Sequence, residues 1–104
     1  MNLSIVVPLY NEEESLPELI SWIDKVVSEM KIDFEAILVD DGSRDNSWNV
    51  IEGLANQYSF VRGLKFQRNY GKSAALHEGF RASKGSVVIT MDADLQDSPE
   101  EIPD

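Results

Sequence analysis

Leu3-Ser4-Ile5-Val6-Val7-Pro8-Leu9, followed by Tyr10-Asn11-Glu12, decides how the rest of the chain reads. An apolar run broken only by Ser4 and Pro8 has no polar face to give to water. It therefore reads as a strand buried on both sides, the kind found in parallel sheets with helices above and below. Helical spacing follows at Leu16, Leu19, Ile20, Ile23, Val26, Val27 and Met30. Asn11 with Glu14 three residues on is a capping signal for that helix, and Pro17 is tolerable because it falls near the first turn.

The alternation repeats downstream. Phe34 to Val39 is a second apolar strand, closed by the turn-forming cluster Asp40-Asp41-Gly42-Ser43. Trp48, Ile51, Leu54, Ala55 and Tyr58 make the buried stripe of a second helix, with Asp45 or Ser43 as its cap. Val61 to Phe66 is a third strand, weakened by Arg62, Gly63 and Lys65. After the loop Asn69-Tyr70-Gly71-Lys72 comes a helix over 73–83, whose Ala74, Ala75, Gly79 and Ala82 allow close approach to a sheet. Ser86 to Met91 reads as a fourth buried strand, and Ser98-Pro99-Glu100-Glu101 as the start of another helix. The expectation is one α/β domain over residues 1–104, with a mostly parallel sheet in three α/β/α layers.

Composition bounds the chemistry. Hydrophobic residues make up 42% and charged residues 27% of 104, as in soluble globular domains. The absence of cysteine removes disulfides, zinc-thiolate sites and thiol catalysis. No leader pattern precedes Leu3 and the apolar runs are strand-length, so neither a signal peptide nor a membrane span is expected, and the piece reads as soluble and cytoplasmic. A formal net charge of −10 argues against binding nucleic acid through a basic surface. No Lys or Arg follows Lys84, while Asp92, Asp94, Asp97, Glu100, Glu101 and Asp104 all do. An anion docking there must come with a cation or meet cationic side chains from elsewhere in the fold.

In an open α/β sheet, ligands gather at the carboxyl ends of the strands, where three polar clusters fall. The first is Asp92-Ala93-Asp94-Leu95-Gln96. Alternate side chains of an extended strand share a side with Cα atoms roughly 7 Å apart, so Asp92 and Asp94 can face one cleft, and their repulsion calls for a cation. Hard oxygen donors, with Gln96 adding one more, suit Mg²⁺ or Mn²⁺ bound together with a diphosphate. A solvated turn with a helix cap is the bland alternative. The second cluster is Asp40-Asp41, where one carboxylate can accept from a nucleobase N–H or ribose hydroxyl while the other holds the loop. The third is Pro8 to Glu12, where Tyr10 and Glu12 can line a base or ribose pocket.

Arg68 and Lys72, flanking Asn69-Tyr70-Gly71, are candidate diphosphate contacts in an acidic chain, with ordinary surface charge as the alternative. Gly71-Lys72-Ser73 imitates the end of a P-loop, but Phe66 stands where that motif needs its first glycine. His77 reads as a surface or partly buried helix residue, and Trp22 and Trp48 read as core.

Taken together, Ile5-Val6-Val7-Pro8-Leu9-Tyr10-Asn11-Glu12, Val39-Asp40-Asp41-Gly42-Ser43-Arg44-Asp45, Arg68-Asn69-Tyr70-Gly71-Lys72 and Met91-Asp92-Ala93-Asp94-Leu95-Gln96-Asp97 closely resemble family 2 glycosyltransferases with the Rossmann-like GT-A fold. The ending Asp94 to Glu100 looks most like the branch of dolichol-phosphate mannose synthases and bactoprenol-phosphate glycosyltransferases, although Ser98 stands where many of that branch carry a second proline.

The resemblance implies an enzyme that moves a sugar, with inversion, from a UDP- or GDP-sugar to polyprenyl phosphate in cell-wall, polysaccharide or glycolipid biosynthesis. It implies donor binding by Pro8, Tyr10, Asn11, Glu12, Asp40, Asp41, Arg68, Gly71 and Lys72. Catalytic roles fall to Asp92 and Asp94, and the metal sits on Asp92, Asp94 and Gln96. It further implies an acceptor half beyond Asp104, a full-length protein at the cytoplasmic face of a membrane, and room for a homo-oligomer. Two alternatives compete: a nucleotide-binding piece without turnover, and a Mg²⁺-dependent receiver-like signalling module. A receiver, like a phosphohydrolase built on a D-x-D nucleophile, should carry its acidic pair after the first strand, where this chain has Tyr10-Asn11-Glu12.

Overall fold

The computed structural model describes residues 1–93. Four strands, β1 (Leu3–Leu9), β2 (Phe34–Asp40), β3 (Val61–Lys65) and β4 (Val87–Thr90), alternate with three helices, α1 (Leu16–Ser28), α2 (Ser47–Gln57) and α3 (Lys72–Ala82). All strand pairings are parallel, in the order β3-β2-β1-β4. The chain thus steps outward from β1 through β2 to β3, then crosses back over both to place β4 on the far side of β1. Because parallel crossovers are right-handed, the reversal of direction also moves the connecting helix to the opposite face.

The side-chain alternation of the central strands shows the two faces. Ile5, Val7 and Leu9 of β1, with Ala36 and Leu38 of β2, pack with Leu16, Leu19, Ile20, Ile23 and Val27 of α1 and Ile51 and Leu54 of α2. Val6, Ile37 and Val39 point the other way, onto Ala75 of α3. Seven consecutive buried residues in β1 are what a central strand covered on both faces requires. Gly79 of α3 lies against Val6, where even one added carbon would overlap the valine side chain, so the small residues do bring this helix close to the sheet.

Three expectations from sequence need correction. The β4 run is not buried: Val87 is 57% and Val88 37% exposed, because β4 is an edge strand that meets β1 on one side and, among the described residues, no strand on the other. Asn11 is not a helix cap, since α1 begins five residues later with Ser15 in the capping position and no side-chain cap bond. Neither Asp45 nor Ser43 takes the cap position of α2, which falls to Asn46, again without a side-chain bond. The helix start expected around Ser98 lies outside the described residues.

At the amino ends of the strands a buried charge ties the layers together. Ser4 and Glu35, the polar interruptions of β1 and β2, are register partners, and the Ser4 hydroxyl donates to Glu35 Oε2 at 2.6 Å. Arg62 of β3 donates to Glu35 Oε1 at 2.7 Å and to the Ala82 carbonyl at 3.0 Å, while Lys84 N–H donates to Oε2 at 2.7 Å. Gly85 N–H donates to Ser4 Oγ at 2.8 Å. The end of α3 is thereby pinned to three strands.

Burial pushes the Glu35 carboxyl up, but the hydrogen bonds from Ser4, Lys84 N–H and Arg62, together with the Arg62 charge, outweigh it and hold the group below its ordinary 4.5. A depressed carboxyl stabilises the fold above its unfolded pKa, and that contribution is lost as pH falls through the lower folded value. Glu35→Gln is expected to cost about 1–3 kcal/mol at neutral pH in urea unfolding, and to flatten the loss of stability below pH 4.5 relative to the parent. Gly42 has φ +75°, and a Cβ there would overlap the Arg68 carbonyl carbon and Asn69 nitrogen. Gly42→Ala is expected to destabilise by roughly 1–3 kcal/mol in the same assay, through both strain and backbone displacement.

Candidate functional site

The reversal of strand order leaves a crevice between the carboxyl ends of β1 and β4, the position at which open α/β sheets bind ligands. Register sets its walls. Thr90 pairs with Val6, and Met91 N–H bonds the Val6 carbonyl at 3.1 Å, which carries the next residue, Asp92, to the rim beside Pro8. A cleft of about 240 Å³ opens there, lined by Pro8, Leu9, Tyr10, Glu12, Asp41, Lys72, Asp92 and Ala93. Pieces from four connections meet in it: the segment after β1, the loop after β2, the start of α3 and the end of β4.

The loops around the cleft are stitched to one another. Asn11, at φ +55°, donates its N–H to Ser43 Oγ at 2.8 Å, and its side-chain oxygen accepts from Arg44 N–H at 2.8 Å and Asp45 N–H at 3.3 Å. Glu12 N–H reaches Ser47 Oγ at 3.0 Å and Glu13 N–H reaches Asp45 Oδ2 at 3.3 Å. Burial raises the Asp45 carboxyl, yet hydrogen bonds from the Ser47 hydroxyl, Ser47 N–H, Glu13 N–H and its own N–H together hold it below its usual value. Asp45 therefore serves as a charged acceptor between the first two loops. Sequence reasoning missed this set because its partners lie more than thirty residues apart. The one available signal was an Asn able to adopt a left-handed backbone.

The two adjacent carboxylates at the end of β2, Asp40 and Asp41, are both buried and do different things. Asp40 accepts from Ser43 N–H at 2.8 Å and closes its own turn. Asp41 reaches across to the loop before α3, accepting from Tyr70 N–H at 2.8 Å and Gly71 N–H at 3.0 Å. With Gly42 pressed on the Arg68-Asn69 backbone, these bonds set where α3 begins and so where Lys72, its first residue, enters the cleft. Lys72 Nζ lies 2.9 Å from Asp92 Oδ1, in a pair whose side chains are 65% and 39% exposed.

Of the residues singled out from sequence, Pro8, Tyr10, Glu12, Asp41, Lys72 and Asp92 line the cleft together. Asn11, Asp40 and Gly71 act instead on the loops that build it, and Arg68 stacks over the Tyr70 ring at 4.7 Å outside its wall. His77 is exposed on α3, beside a separate cavity lined also by Phe66, Tyr70, Ala74 and Glu78. Asp94 and Gln96 lie outside the described residues.

For a divalent ion, the described residues supply the Asp92 carboxylate, and no cluster of three or more His, Cys, Asp or Glu side chains occurs among them. Asp92 fits such an ion in donor chemistry, being a hard oxygen ligand open to the cleft and already drawing a positive charge to within hydrogen-bonding distance. Among the described residues, no helix is long and apolar enough to cross a membrane.

Comparison with known proteins agrees with this arrangement. Residues 4–104 match the model of glycosyl transferase family 2. An undecaprenyl-phosphate 4-deoxy-4-formamido-L-arabinose transferase from Pseudomonas fluorescens is 51% identical over 102 residues, covering 97% of this chain and 30% of the relative. The chain thus spans about a third of the length of the curated relatives it matches. Among solved structures, S. aureus TarS 1-349 in complex with UDP superposes with a TM-score of 0.77 at 26% identity, over 90% of this chain and 28% of that one. Glucosyl-3-phosphoglycerate synthase from Mycobacterium tuberculosis in complex with UDP gives 0.77 at 25% identity, over 98% and 37%. A parallel sheet that reverses its strand order at an acidic cleft, a family match across nearly the whole sequence and half-identical relatives lead to one conclusion: this chain belongs to glycosyl transferase family 2 and has the GT-A fold.

Proposed function

We propose that these residues are the nucleotide-binding part of a protein that transfers a sugar, with inversion and with the help of Mg²⁺ or Mn²⁺, from a nucleoside diphosphate sugar to a polyprenyl phosphate. The observation that carries this reading is the cleft in which Asp41, Lys72 and Asp92 converge beside Tyr10. The undecaprenyl-phosphate sugar transferases at about 50% identity support the acceptor class, and the two UDP complexes support the donor class.

Each cleft residue has a role its position suits. Tyr10, 39% exposed at the end of β1, offers a ring face to a base or ribose. Asp41 spends its carboxylate on two backbone N–H groups, those of Tyr70 and Gly71, and keeps lone pairs for a donor hydroxyl or base N–H. The Lys72 ammonium and the amino end of α3 put positive charge at one wall, where a diphosphate would lie. Asp92, with Asp94 and Gln96, would hold the divalent ion, which supplies charge neutralisation of the departing nucleoside diphosphate. A phosphate acceptor is already anionic near neutral pH, so the protein's task is to position it in line with the anomeric carbon and exclude water, with little call for a general base. Because such an acceptor is a lipid, the reaction belongs at a membrane surface, in this reading the cytoplasmic one.

A receiver-like module is disfavoured by the cleft itself, whose contribution from the end of β1 is Tyr10 and Glu12 in place of an acidic pair. Calorimetric titration of the full chain with UDP- and GDP-sugars is expected to show binding that strengthens with Mn²⁺. Asp92→Asn is expected to abolish the Mn²⁺ enhancement, while Asp41→Ala weakens donor binding by roughly tenfold or more with or without metal. Absence of nucleotide binding by the folded protein would defeat the proposal.

A further inference from the structure

Three consecutive backbone N–H groups after β1 find their acceptors in side chains of the connection after β2. Asn11 N–H donates to Ser43 Oγ at 2.8 Å, Glu12 N–H to Ser47 Oγ at 3.0 Å and Glu13 N–H to Asp45 Oδ2 at 3.3 Å. Tyr10 and Glu12, which line the cleft, stand beside and within this stretch, whereas Ser43, Asp45 and Ser47 lie outside the lining. Resting on the reading that this wall meets the base or ribose of the donor, we infer that Ser43, Asp45 and Ser47 are positioning residues for the nucleoside end of the cleft. They set nucleotide affinity through the backbone that carries Tyr10 and Glu12, without touching the nucleotide.

The bonds have a fixed direction. Ser47 is fully buried, so its hydroxyl must be used inside the protein. An ionised carboxylate can only accept, so the Ser47 proton points to Asp45 Oδ1 and a lone pair is left for Glu12 N–H. Burial raises the Asp45 carboxyl, but the bonds it accepts from Ser47 and Glu13 hold it below its usual value, which keeps it charged at neutral pH. The locking is reciprocal, because the Asn11 side-chain oxygen accepts from Arg44 N–H and Asp45 N–H. Once the Glu12 backbone is fixed, its carboxylate is held as well, accepting from the Ser15 hydroxyl at 2.9 Å.

A loop without these acceptors would have to be ordered as the nucleotide enters, and that cost would be subtracted from affinity. Held in advance, the Tyr10 ring and the Glu12 carboxylate need no further ordering. The opposite wall, from which Lys72 springs, is set by different bonds, those from Asp41 to Tyr70 and Gly71. One connection thus fixes both walls, reaching back to the first loop with one group of side chains and forward to the third with another.

Calorimetric titration of the full chain with UDP and GDP, in double-mutant cycles on whichever nucleotide the parent binds more tightly, tests the inference. Asp45→Asn, which puts an NH₂ donor where an acceptor is needed, and Ser47→Ala are each expected to weaken binding by roughly three- to tenfold. Ser43→Ala removes a single bond at a half-buried site and is expected to weaken it by roughly threefold, so the cycle stays measurable if either of the others fails to fold. In a Tyr10→Ala background these losses are expected to shrink toward unity, because the group being positioned is gone. In a Lys72→Met background they are expected to keep their full size. Residues that serve only the stability of the fold would cost the same factor in both backgrounds. Equal losses in the two, or no loss in the parent, overturn the inference and leave the transferase reading standing. If the parent binds neither UDP nor GDP, both fall.

Discussion

Everything in the site follows from the handedness of the crossover between β3 and β4. Two steps in one direction put α1 and α2 on one face of the sheet, and the return past β1 puts α3 on the other. The carboxyl ends of β1 and β4 then lie side by side, and among the described residues the cleft opens beside them. The apolar alternation of β1 holds this together, because Ile5, Val7 and Leu9 serve one layer while Val6 serves the other. A one-residue slip of that strand would exchange the two cores and misplace every loop at the rim.

Charge is distributed between the two ends of the sheet with different purposes. At the amino ends, Glu35 is fully enclosed and fully satisfied, with its acceptor sites taken by Ser4, Arg62 and Lys84 N–H. Such a network is costly to break and has no reason to change. At the carboxyl ends, Asp41 is buried but its bonds are to backbone, while Asp92 and Lys72 remain accessible. The loops of the cleft are therefore held by side-chain oxygens that accept from backbone N–H groups, and the Lys72 and Asp92 charges stand at its accessible wall.

Much of this was legible from the residues alone, for identifiable reasons. The two central strands declared themselves because enclosure on both faces leaves a continuous apolar run, and α1 because its stripe recurs at helical spacing. The same logic misread β4: Val87 to Thr90 is as apolar as a central strand, yet an edge position leaves its valines exposed. Asn11 followed by Glu14 has the form of a cap, but a local pattern cannot weigh a bond to Ser43 and Asp45, which only the folded sheet brings near. Ser4 interrupts the apolar run of β1 and Glu35 that of β2. Their meaning is joint, since the register sets them side by side, and register is a property of two strands that neither displays separately.

The two margins of the described sheet differ in charge. On the β3 side, Arg62 and Lys65 interrupt the strand with cations, the usual guard against unwanted pairing. On the β4 side, Val87-Val88-Ile89-Thr90 carries no charge and, among the described residues, has no neighbour beyond it. An uncharged, β-branched, half-exposed margin is the kind of surface on which another backbone can pair.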